Sequence, residues 1–155
     1  MNVLVTGGTG YIGSHTVVEL LKAGHNPIIV DDLSNSKAEV VDKIEIITGK
    51  RPVFYRINCA DSKSLNKVFA DWEIDAVIHF AAYKAVGESV KKPLEYYRNN
   101  IDCTLTLLET MRKYDCGKFI FSSSATVYGA DNPVPYKEDI KSIRADKGYD
   151  RTHTY

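Results

Sequence analysis

The chain has 155 residues, 44% hydrophobic and 26% charged, which suits one ordinary domain with a buried core and excludes a low-complexity or fibrous class. Its 20 Lys and Arg balance its 20 Asp and Glu, so no general field draws it to nucleic acid or anionic lipid, and any phosphate must be held by a local site. The three cysteines, Cys59, Cys103 and Cys116, are widely spaced without a Cys/His cluster, and the start shows no export signal; they read as reduced packing residues of a cytoplasmic protein with no metal site and no membrane span.

Taken in chain order, short β-branched runs alternate with longer segments of helical period, the pattern of a parallel sheet wrapped by helices. Residues 3–5 are apolar without alternation, as expected of a central strand buried on both faces. Over 12–23 the apolar positions Val17, Val18, Leu20 and Leu21 repeat at helical spacing, and Gly24 is a good stop. A second strand is expected over 27–30, a polar loop over 31–36, and a helix over 38–48. The third strand reads as 53–57, a short helix as 64–72, and the fourth strand as 75–80. A long amphipathic helix is expected over 94–114 from Ile101, Leu105, Leu108 and Met111, and a fifth strand over 118–122.

Between the first strand and first helix stands Thr6-Gly7-Gly8-Thr9-Gly10-Tyr11-Ile12-Gly13. Gly7, Gly10 and Gly13 suit a sharp turn, close approach of a pyrophosphate to the backbone, and close packing of helix on strand. The helix start then offers free N–H groups and a positive dipole end to phosphates. Asp31 ends the second strand about 20 residues further on, where a carboxylate can accept from ribose hydroxyls and repel a 2′-phosphate. Asp32 beside it reads equally as a ligand contact or a solvated loop residue. No arginine lies between Asp31 and Ser36, so NAD is favoured over NADP. The expected fold is a Rossmann-type α/β doubly wound parallel sheet of about five strands in the order 3-2-1-4-5.

Four stretches together resemble the UDP-glucose 4-epimerase family of extended short-chain dehydrogenases. They are 6–13, 31–36 (Asp-Asp-Leu-Ser-Asn-Ser), 79–93 (His-Phe-Ala-Ala-Tyr-Lys-Ala-Val-Gly-Glu-Ser-Val-Lys-Lys-Pro) and 121–129 (Phe-Ser-Ser-Ser-Ala-Thr-Val-Tyr-Gly). The resemblance covers residues 1–138, and Ala-Val-Gly-Glu-Ser is far more specific than the glycine turn. It implies interconversion of UDP-glucose and UDP-galactose, part of galactose metabolism, with tightly held NAD. A tyrosine phenolate takes the 4′-hydroxyl proton while the 4′-hydride moves to the nicotinamide, and the flat ketone turns over and takes the hydride back on its other face. The implied partners are a small-molecule UDP-sugar and, family-like, a second copy of the chain.

Carried over by position, the resemblance places Tyr11 and Ile12 at the pyrophosphate and Asp31, Asp32, Leu33, Ser34, Asn35 and Ser36 around the adenosine ribose. Asn58 and Cys59 stand where the family has an Asp and an apolar residue beside the adenine; the Asn58 amide oxygen can still accept from the adenine amino group. Phe80, Ala81, Ala82, Tyr83 and Lys84 would follow the nicotinamide half, with Asn99 nearby. Ser122 falls on the cofactor side, and Ser124 matches the serine that relays the proton to the tyrosine.

The family's Tyr-x-x-x-Lys pair becomes Tyr149-Asp150-Arg151-Thr152-His153 here, with histidine in the lysine position. A neutral histidine lowers a phenol pKa less than a permanent ammonium does. Residues 1–138 therefore read as an NAD-binding domain, and 139–155 as a divergent, disordered segment. The chain is expected to be truncated before the substrate-binding part and to have little activity alone. The alternatives are a non-catalytic NAD-binding module and another nucleotide-sugar short-chain enzyme.

Overall fold

A computed structural model of the chain describes residues 1–128 and 134–137. Five strands, β1 (Asn2–Thr6), β2 (Asn26–Asp31), β3 (Val53–Arg56), β4 (Ala76–His79) and β5 (Phe119–Phe121), form one sheet in the order β3-β2-β1-β4-β5. Every pairing is parallel. The sheet belongs to a compact unit, Met1–Phe121; a second unit begins at Ser122.

Helices on both faces explain why β1 shows no polar alternation. Leu4, Ile28, Val30 and Val77 pack on one face against Leu65, Val68 and Phe69 of α3 (Ser62–Asp71) and Leu107 and Met111 of α6 (Cys103–Lys113). Val3, Val5 and Ile29 pack on the other against Val17 and Leu21 of α1 (Tyr11–Lys22) and Ile44 of α2 (Glu39–Thr48). Successive strand residues thus serve opposite layers, the doubly wound arrangement expected from the alternating pattern.

Two differences from the sequence reading bear on the site. The expected long helix is present over 93–113 but contains a π-helical turn (Arg98–Asp102) between α5 (Pro93–Tyr97) and α6. A widened turn leaves the apolar period of the flanking helices almost intact, so periodicity alone does not reveal it. A further short helix, α4 (Val86–Lys91), occupies what reads as loop, because six residues containing Gly87 carry too little pattern to register. The start of α3 also lies two residues early, where the Asp61 carboxylate accepts from the N–H groups of Lys63 and Ser64 as an N-cap.

In the second unit, Ala125–Tyr128 forms a single 3-10 turn, within which the Val127 N–H donates to the Ser124 carbonyl at 3.2 Å. The Tyr128 and Tyr136 rings lie 5.3 Å apart. Among the described residues, no helix is long and apolar enough to cross a membrane.

Candidate functional site

The site opens at the carboxyl end of β1, where the chain parts from both neighbouring strands. The Gly7 N–H donates to the Val30 carbonyl at 2.8 Å on one side, and the Phe80 N–H donates to the Thr6 carbonyl at 3.0 Å on the other. Gly7 turns at φ +69°, and a Cβ there would stand 2.8 Å from the Ala81 nitrogen. A Cβ on Gly13 would collide with the Gly7 carbonyl oxygen, so this glycine seats α1 directly on the turn. Gly10 caps α1, and its own N–H donates back to Gly7 at 3.1 Å. The first-turn N–H groups, including those of Tyr11 and Ile12, have no partner within the helix. They form the positive end of α1 beside a crevice lined by Gly7 and Gly10.

Asp31 ends β2 in the same crevice. Its Oδ1 accepts from the Leu33 N–H and the Ser36 hydroxyl, each at 3.0 Å, and its Oδ2 accepts from the Thr9 N–H at 3.1 Å. Because the Ser36 hydrogen is committed to Asp31, the Thr9 hydroxyl donates to Ser36, at 2.7 Å. The carboxylate thus ties the glycine turn to the 31–36 loop and holds Leu33 at φ +63°, while retaining acceptor capacity on Oδ2. Asp32, half-buried in the crevice wall, accepts from the Ser34 N–H at 2.9 Å and from Asn58 Nδ2 at 3.2 Å, both exposed hydrogen bonds. Ser34 and Asn35 complete this wall.

Asn58 and Cys59 line the crevice beside β3, joined by Ile57 and Cys103. The Asn58 oxygen has partners within the chain. It accepts from the Ala60 N–H at 2.8 Å and from the Cys103 thiol at 3.6 Å, which fills both lone pairs internally. A side-chain hydrogen bond with Cys103, reinforced by burial, pushes the Cys59 thiol far above its usual range. Both sulfurs are buried free thiols. Ile57 and Cys103 were not singled out in the sequence. Apolar character at a strand end would have suggested Ile57, whereas Cys103 gave no local signal.

Phe80, Ala81, Ala82 and Tyr83 follow β4 and line the opposite wall with Asn99. Behind them His79 is only 2% exposed. Its Nδ1 lies 2.6 Å from the Thr6 hydroxyl and its Nε2 lies 3.1 Å from that of Thr104. Thr104 already donates to the Asn100 carbonyl at 2.8 Å, so Nε2 carries the ring proton and Nδ1 accepts from Thr6. Burial, and secondarily the charge of Lys84, hold His79 down to a pKa of about 4.

Lys84 lines an adjoining recess with Tyr83, Ser34 and Asn35 rather than the crevice itself. Glu88, within the Ala-Val-Gly-Glu-Ser stretch, accepts from the Tyr96 hydroxyl at 2.9 Å and from Lys92 at 3.2 Å, joining α4 to α5. Ser122 and Ser124 follow β5 directly and belong to the second unit. Tyr149 and His153 lie outside the described residues. Among the described residues, no group of three or more His, Cys, Asp or Glu could hold a metal ion.

Comparison with known proteins adds to this geometry. A model of the NAD dependent epimerase/dehydratase family matches residues 3–155. UDP-glucose 4-epimerase of Dictyostelium discoideum is 52% identical over 153 residues, covering 99% of this chain and 44% of that protein. The enzyme of that name from Erwinia amylovora is 56% identical over 138 residues, covering 89% of this chain and 41% of its own length. Among solved structures, the Bifidobacterium longum UDP-glucose 4-epimerase in complex with NAD+ and UDP superposes with a TM-score of 0.87 at 48% identity, over 92% of this chain and 43% of that one. The Stenotrophomonas maltophila enzyme, with bound NAD and formylated UDP-arabinopyranose, gives 0.86 at 48% identity and the same two coverages. The chain therefore spans less than half the length of the curated relatives it matches.

Proposed function

The chain belongs to the NAD dependent epimerase/dehydratase family, and on that premise we propose that it holds NAD in the crevice at the carboxyl ends of β1, β2 and β4 and serves the interconversion of UDP-glucose and UDP-galactose. One observation carries the cofactor half of this reading. The Gly7–Gly10 turn and the Asp31 carboxylate line a single crevice that no Lys or Arg lines among the described residues. A pyrophosphate is met there by backbone N–H groups and a helix dipole, and a ribose hydroxyl by the remaining acceptor capacity of Asp31. A 2′-phosphate would meet two carboxylates and no cation, which favours NAD over NADP.

The bound nicotinamide supplies a hydride acceptor and donor for the C4 position of the sugar. The chain's own contribution is placement. Gly7 brings the β1 turn against the backbone of Ala81, and the loop 80–84 forms the wall along which the nicotinamide half lies. Ser124 is assigned the proton relay and Tyr149 the base, with His153 in the position of its cationic neighbour. Asn58, whose oxygen is occupied internally, faces the adenine as shape rather than as an acceptor. A second copy of the chain is the proposed partner for the exposed apolar stripe Leu94, Tyr97, Ile101, Leu105 and Leu108. Support for the UDP-sugar substrate comes from the relatives at 52% and 56% identity.

A hybrid tests the reading: residues 1–155 of this chain joined to the remainder of the Dictyostelium discoideum relative and assayed by coupled conversion of UDP-galactose. NAD retention with formation of UDP-glucose is expected. A hybrid that retains NAD yet forms no UDP-glucose would contradict the epimerase assignment.

A further inference from the structure

Asn99 and Asn100 are consecutive residues in the π-helical turn Arg98–Asp102, between α5 and α6. Asn100 Oδ1 accepts from the Tyr83 N–H at 2.8 Å, and its Nδ2 donates to the Tyr83 carbonyl at 3.1 Å. One side chain thereby satisfies both backbone polar groups of one loop residue, as a neighbouring strand would. The loop from β4 to α4 has no regular structure of its own, so this amide takes the place of a ladder partner. The amide orientation follows from its partners, since the flipped form would set N–H against N–H and carbonyl against carbonyl.

The same Oδ1 also accepts from Asn99 Nδ2, at 3.1 Å. That contact orients Asn99, which lines the crevice, with its oxygen as the uncommitted acceptor. Behind Asn100, its backbone carbonyl accepts from Thr104, which is joined through His79 to Thr6 at the end of β1. The clamp is therefore anchored in the sheet rather than in another loop.

We propose that Asn100 is a positioning residue for the nicotinamide-riboside half of the cofactor. It holds the backbone of the 80–84 wall and turns the Asn99 oxygen to accept a hydroxyl of the ligand. The inference rests on the NAD reading, and it assigns Asn100 no contact with the adenosine half.

The test compares NAD with ADP, which lacks the nicotinamide riboside, in calorimetric titrations of the full chain and its Asn100→Ala variant. Loss of two hydrogen bonds at a half-buried loop predicts about tenfold or weaker NAD binding, with ADP affinity within about twofold of the unaltered chain. Asn100→Asp keeps the acceptor and loses the donor, and is expected to recover part of the NAD affinity. Amide exchange at Tyr83 should be slow in the unaltered chain and fast in Asn100→Ala. Equal losses for NAD and ADP, an unchanged NAD affinity, or slow exchange at Tyr83 in Asn100→Ala would each overturn the positioning role. An unaltered chain that binds ADP but not NAD would also overturn it, whereas one that binds neither would overturn the cofactor reading on which it rests.

Discussion

Gly13 and Asn58 show how unevenly single residues disclose their roles. Gly13 is legible because a helix seated on a tight turn leaves no room for a side chain, and the structure gives that room a measure: an added Cβ meets the Gly7 carbonyl oxygen and stands 2.9 Å from the Gly8 Cα. Both are backbone atoms, with no flexible side chain to yield. Gly13→Ala should therefore cost on the order of 1–3 kcal/mol, read as a lower urea midpoint, and an unchanged midpoint would show that the turn is looser than described. Asp31 was equally legible, because strand register delivers an acid to the end of β2 whatever surrounds it. The Asn58 oxygen was not. Its partners, the Ala60 N–H and the Cys103 thiol, come from a following turn and from a helix 45 positions away, and no local pattern announces them.

The buried chain Thr6, His79 and Thr104 joins β1, β4 and α6, and it links their packing to pH. Folding lowers the His79 pKa from its ordinary 6.5 to about 4, first through burial and then through Lys84. Between those values the unfolded chain binds the proton and the folded chain does not. The stabilisation is therefore complete above about pH 6.5 and is lost as pH falls toward 4, a change on the order of 3 kcal/mol. Urea unfolding at pH 7.5 and pH 5 should show about 2 kcal/mol of that loss, and His79→Gln should flatten the slope; equal slopes in the two proteins would contradict the account. Leu107 of α6 is wholly buried against the sheet, so Leu107→Ala should cost about 2–5 kcal/mol by the same measurement. At this scale the sequence was most readable where elements are buried on both sides, since β1, β2 and β4 stand out as uninterrupted apolar runs. It was least readable at α4 and the π-helical turn, where a few residues under tertiary constraint depart from the dominant period.

Across the whole molecule, the strand order β3-β2-β1-β4-β5 is what creates a place for a ligand. The connection from β1 leads to β2 on one side and the connection from β4 leads to β5 on the other, so the two leave adjacent strands in opposite directions and a crevice opens at their carboxyl ends. That topology followed from the alternation of strands and helices together with the glycine turn, and the acid in the right place made it specific. The substrate half of the proposed reaction is of a different kind, because the chain covers 44% of the Dictyostelium discoideum relative and only the cofactor crevice is built from described residues. The most direct measurement is calorimetric titration of NAD and NADP into the chain and into its Asp31→Ala variant. The account predicts one NAD per chain, weaker binding of NADP, and a loss of about 10- to 100-fold in NAD affinity on removing a charged hydrogen-bond acceptor. NAD affinity unchanged by Asp31→Ala, or NADP bound as tightly as NAD, would contradict it.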